Sequence, residues 1–276
     1  MQVSWDVESV CEKYSNLLQV LTLFVACIWA SAGYDVQVRD PSPEQRADCV
    51  AYVKQHVVAY AEHTGAAPGE VTTSEDLKNT VNNAWLVIEA VPEKIQLKID
   101  TFEQLDKLAP TDCILASNSS SYKSSEMLDK VSDSTKPRIL NMHYYMPPQV
   151  MVVELMTNGF TDPSIIQFLV ERSKEAATIP YVARKESTGF IFNRLWAAVK
   201  REALTILAEE VSTPSEIDSI WTEIFVKSGT VPCKAMDSMW YPLHRSFLPA
   251  FRIPQPFQPL RSWTTNLDLI LTLVSL

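Results

Sequence analysis

The sequence predicts an α/β fold: a doubly wound, mostly parallel sheet followed by a smaller all-helical domain. Three observations point there. Short apolar runs alternate with helical periods through residues 1–186, the pattern of successive βαβ units. Several of those runs are continuously apolar, as strands covered on both faces are. From Ser187 onward, strand signals give way to helix-start signals.

The elements follow in order. Leu17 to Ala30, LLQVLTLFVACIWA, has the length of a signal-peptide core and leads into Ala30-Ser31-Ala32. It is preceded by Asp6, Glu8 and Glu12 against Lys13 alone, so the positive leader is missing and a buried core helix or strand is expected. Secretion with processing after Ala32 is the weaker rival. Tyr34 to Asp40 alternates as a strand that ends on an acid, and Glu44 to His63 reads as a helix after Pro41 and Pro43. Trp85 to Glu89 is a buried strand, and Glu93 to Leu108 a helix with Ile95, Ile99 and Phe102 at helical spacing. Further strands are expected at Asp112–Ala116, Arg138–Asn141 and Val150–Met156. Asp162-Pro163 opens a helix to about Ala177, Thr188 can cap another from Gly189 to Glu210, and Thr213-Pro214-Ser215-Glu216 is a capping box. Residues 187–276 form the expected helical domain, with a tail from Ser238 that holds five prolines and no glycine.

Composition narrows the function. The formal net charge of −9 disfavours nucleic acid, which needs Lys and Arg against its phosphates. The apolar run at 17–30 is too short for a membrane span of about 20 residues. Cys11, Cys27, Cys49, Cys113 and Cys233 lack metal-ligand spacing and read as free thiols of a reducing compartment, so no metal and a cytoplasmic location are expected. Glycine is scarce, 6 of 276 residues where about 7% is average, so a glycine-rich phosphate loop has little material.

Ligands of parallel sheets bind at the carboxyl ends of the strands. Asp40, Glu89, Asn118, Ser120 and His143 are all expected just past strand ends. A histidine there suits proton transfer near neutrality. Glu154, alone in the apolar run Val152 to Leu155, needs a buried partner, and His143 is the most useful one. Each has a plainer reading: a structural histidine, an edge-strand carboxylate, or turn residues in Ser117–Ser121 and at Asp40.

These features in this order resemble the 3-hydroxyacyl-CoA dehydrogenase family. The residues that carry the likeness are Val87-Ile88-Glu89-Ala90, Ala116-Ser117-Asn118-Ser119-Ser120-Ser121, His143-Tyr144-Tyr145-Met146-Pro147, Glu154, and Gly189-Phe190-Ile191-Phe192-Asn193-Arg194-Leu195, over about Val25 to Asp237. The resemblance implies a Rossmann-like dinucleotide-binding domain, NAD as cofactor, a 3-hydroxy acid or acyl-CoA substrate, a place in fatty acid metabolism, and a homodimer through the helical domain. It implies His143 as general base for the 3-hydroxyl, Glu154 orienting it, and Ser120 and Asn193 on the substrate. Asp40 would take the adenosine ribose, with Glu89 and Asn118 on the cofactor side.

The chain departs from the family at its phosphate loop. Counted back from Gly33, the glycines of G-x-G-x-x-G fall at Leu17, Gln19 and Thr22, and no glycine precedes Gly33. Met146 also stands where the family places asparagine. The leading expectation is an NAD-dependent 3-hydroxyacyl-CoA dehydrogenase-like oxidoreductase, and its rival is a non-catalytic relative that has lost NAD.

Overall fold

The computed structural model describes residues 17–235 and 270–273, and the chain divides into two units, 1–191 with 261–276, and 192–260. The expected boundary at 186/187 thus moves to Ile191. Residues Ile270–Leu273, expected in the helical domain, form a strand of the first unit. The proline-rich stretch 238–269 lies outside the described residues.

The first unit begins with helix α1 (Leu17–Ser31), then strand β1 (Val36–Arg39), helix α2 (Pro43–Thr64), β2 (Val71–Ser74), α3 (Leu77–Val81), β3 (Leu86–Glu89), α4 (Ile95–Leu108) and β4 (Ile114–Ser117). After it come β5 (Ile139–Tyr144), β6 (Val152–Thr157), α5 (Pro163–Glu175) and β7 (Ile179–Ala183). Helices α6 (Ile191–Ala208), α7 (Pro214–Trp221), continued as a π-helix at Thr222–Lys227, and α8 (Pro232–Ala235) follow, and β8 (Ile270–Leu273) closes the series.

The eight strands form one sheet in the order β2-β1-β8-β3-β4-β5-β6-β7. Pairing is parallel for β1 with β2, β3 with β4, β4 with β5, and β6 with β7; β6 runs antiparallel to β5, and β8 antiparallel to both β1 and β3. The alternation of side chains builds two cores on the two faces. Leu86, Ile88, Ala116 and Leu140 pack on one face with α1, α2 and α5, while Val87, Leu115 and Ile139 pack on the other with Phe102 and Leu105 of α4. A double cover of this kind explains the continuous apolar strands read from the sequence.

The apolar run at 17–30 is a helix, and Leu23 to Ala30 are buried in the larger core. Trp29 anchors it, with its indole N–H donating to the Tyr144 hydroxyl at 2.9 Å and its ring edge-on to Tyr34 and Trp85. Gly33, at φ 91°, turns the chain out of the helix in a conformation costly for any side chain. Gly69 is required by proximity: a Cβ there would lie 2.1 Å from the Tyr34 carbonyl oxygen. Helix α2 opens at Ser42, whose hydroxyl accepts from the Gln45 amide, and α7 carries the expected capping box between Thr213 and Glu216.

Candidate functional site

The carboxyl ends of β3, β4 and β5 bring one polar cluster together. Glu89, the last residue of β3, is fully buried. Its carboxylate accepts from Lys98 Nζ at 2.8 Å, the Val91 amide at 2.7 Å and the Ser117 hydroxyl at 2.6 Å. Lys98 is 1% exposed and reaches Glu93 at 3.5 Å as well. Glu93 in turn holds the β4 loop: it accepts from the hydroxyls of Ser119 and Ser120 and from the Ser120 amide at 2.7 Å. Burial raises the Glu93 carboxyl, but the Lys98 charge and the serine hydrogen bonds outweigh it and hold it below the ordinary carboxylate range. Glu93 and Lys98 were missed by sequence reasoning. Their signal was there, because Lys98 shares the buried stripe of α4 with Phe102 and Leu105. A charge on that stripe demands a buried counter-charge.

Asn118 is buried, donating its amide to the Glu89 carbonyl and accepting at Oδ1 from the Tyr144 amide at 2.9 Å. It ties the β4 loop to β5. Both Glu89 and His143 lie inside their strands rather than just past the ends, since β5 runs on to Tyr144.

His143 and Glu154 face each other across the β5–β6 pair. The expected bridge is different in detail. The Glu154 carboxylate accepts from the Tyr145 hydroxyl and, at 2.7 Å, from the Ile191 amide. The His143 Nδ1 is buried without a hydrogen-bond partner. Its ring instead stacks on Phe190 at 4.7 Å and 16°, with Tyr145 edge-on. Burial pushes the imidazole down to about 4, against the opposing pull of Glu154 and Glu93. A neutral ring at neutral pH follows, and it can accept a proton only weakly.

Asp40 stands apart at the end of β1, fully buried, with Oδ1 accepting from the Ser42 amide at 2.7 Å. Asn193 belongs to the second unit, half-buried on α6.

The comparisons decide the lineage. Residues 21–187 match the NAD-binding domain of the 3-hydroxyacyl-CoA dehydrogenases. The chain belongs to the 3-hydroxyacyl-CoA dehydrogenase family. It is 50% identical over 107 residues to the 3-hydroxyacyl-CoA dehydrogenase-like protein LAM1 of Cochliobolus heterostrophus, covering 39% of this chain and 22% of that one. To the L-carnitine dehydrogenase of Streptomyces griseus it is 31% identical over 217 residues, 72% of this chain and 64% of that one. It therefore spans about a fifth of the first relative and under two thirds of the second. The solved structure of an NAD-dependent pyridine-carboxylate 5-dehydrogenase superposes with a TM-score of 0.73 at 24% identity, covering 86% of this chain and 80% of that one, and shows the same fold.

The family's cofactor is NAD, and the residues here do not fit its phosphates. The family match opens at residue 21, past two of the three glycine positions. All three of those positions, Leu17, Gln19 and Thr22, lie inside helix α1. The Thr22 side chain is 2% exposed, filling space at the third position where the family has a bare backbone. A phosphate loop needs free amides ahead of a helix start. At these positions the backbone is already helical.

Proposed function

We propose that this chain is a non-catalytic member of the 3-hydroxyacyl-CoA dehydrogenase family, one that keeps the α/β framework without the dinucleotide grip. The observation that carries the reading is the helical conformation of residues 17–22, where the family's phosphate loop belongs. The strand-end cluster supports it. Glu89, Glu93, Ser119 and Ser120 are bonded to one another and to Lys98, so the polar groups hold the framework together.

One observation favours the rival reading, an oxidoreductase acting on a 3-hydroxy acid or acyl-CoA. Burial keeps His143 unprotonated at neutral pH, the state a general base needs. In that reading His143 accepts the 3-hydroxyl proton, Glu154 fixes its surroundings through Tyr145, and Ser120 and Asn193 hold the substrate. Asp40, Glu89 and Asn118 would then face the cofactor. A homodimer through the helical unit suits either reading, because Phe192, Leu195 and Trp196 are exposed at i, i+3 and i+4 on α6. A cytoplasmic location is part of the proposal, and the free thiols of Cys27, Cys49, Cys113 and Cys233 support it.

A turnover assay separates them. The purified chain with NAD and 3-hydroxybutyryl-CoA is expected to form no NADH above the no-enzyme rate. Turnover that disappears in His143→Gln would establish the oxidoreductase and overturn the non-catalytic reading.

A further inference from the structure

The sheet order holds a substitution. In a doubly wound dinucleotide-binding sheet the strands lie 3-2-1-4-5-6, and the central first strand delivers the chain into the phosphate loop. Here the corresponding order is β2-β1-β8-β3-β4-β5, with β8 in the place of that first strand. We infer that the C-terminal strand β8 replaces the dinucleotide-binding strand and, by running in the opposite direction, supplies no turn into a helix at the edge where the cofactor's pyrophosphate would rest. The consequence for the cofactor rests on the non-catalytic reading above; the replacement itself rests on the pairing.

The register gives the geometry. Leu273 sits between Val36 and Leu86 at the amino edge, and Ile270 between Arg39 and Glu89 at the carboxyl edge. A parallel strand in this slot would end at the carboxyl edge and turn into a helix whose amides face phosphate. An antiparallel one begins there. No strand-to-helix turn from β8 can form beside Arg39 and Glu89, where ligands of such sheets bind.

The slot also explains why the segment suits it. Leu269-Ile270-Leu271-Thr272-Leu273-Val274 is apolar and rich in β-formers, the composition of a strand covered on both faces. Backbone groups fix what it must satisfy. The amides of Val36 and Asp40 point toward β2, and the carbonyls of Trp85 and Glu89 toward β4. Successive residues alternate, so Gln37 and Arg39 on one side, and Leu86 and Ile88 on the other, turn their amides and carbonyls into the slot. An empty slot would leave these groups unpaired in the middle of the sheet.

Cross-linking in the full-length protein tests the replacement. Gln37 and Thr272 are register partners, and a Gln37→Cys/Thr272→Cys variant is expected to form an intrachain disulfide under mild oxidant. A Gln37→Cys/Ile270→Cys variant, two residues out of register, is expected to form none. In the unmodified chain, the amides of Gln37, Arg39, Leu86 and Ile88 should exchange at least about 100-fold slower than in Leu271→Pro, whose ring removes a donor from the strand. Failure of the cross-link, a disulfide between two chains, or equal exchange in both proteins would overturn the replacement and leave the non-catalytic reading standing. NADH binding by the cross-linked protein would instead overturn the consequence for the cofactor and that reading together.

Discussion

Lys98 carries a heavy electrostatic demand, since the buried carboxylate of Glu89 and the partly buried one of Glu93 share its ammonium. Removing one partner of a buried ion pair costs about 3–5 kcal/mol. Lys98→Met should therefore lower the urea midpoint by a corresponding amount, whereas Lys107→Met, at an exposed pair, should cost less than about 1 kcal/mol. His143 gives a pH signature. It titrates near 6.5 when unfolded and at about 4 in the fold, so between those values the unfolded chain takes a proton that the folded chain refuses. Stability is full above about pH 6.5 and falls by about 3 kcal/mol as pH drops through 4. His143→Gln should flatten the fall of Tm across that window; an unchanged slope would assign the fall to other groups. The sequence made His143 and Glu154 readable as neighbours because each was costly alone. It could not show that Tyr145 and Ile191 take the carboxylate, because that depends on strand register and on a residue 37 positions away.

Among the elements, those whose own period decided them were legible. Strands β1, β3 and β4, helices α2, α4 and α5, and the cap of α7 stand within a few residues of their expected places. The sequence of α1 is compatible with helix and strand alike, because an unbroken apolar run has no period to read. Strands β2 and β7 escaped notice for other reasons. β2 is half-exposed Val71-Thr72-Thr73-Ser74, and β7 contains Pro180. β8 was unreadable as part of the sheet, since its partners lie more than 180 residues earlier in the chain. The α1 assignment carries a prediction. If residues 17–22 belong to a helix rather than a damaged loop, Thr22→Gly should restore no NADH binding and should cost about 1 kcal/mol in thermal stability. Stabilisation by that substitution would mean that the position favours a loop conformation.

Across the whole molecule, the proposed function separates the family's framework from its cofactor site. The two cores and the βαβ windings are packed within the chain itself, and the strand-end cluster is bonded within the chain as well. The glycine shortage in the composition finds its structural meaning at one place, where α1 is helical from Leu17 and β8 holds the neighbouring strand slot. The fold class follows from the alternation of elements, while the proposed loss of the cofactor site follows only from where the scarce glycines do not fall. Both claims converge on a single equilibrium. Titration of the full-length chain with NADH, read by calorimetry, is predicted to show no saturable heat up to millimolar cofactor; a dissociation constant in the micromolar range would contradict it.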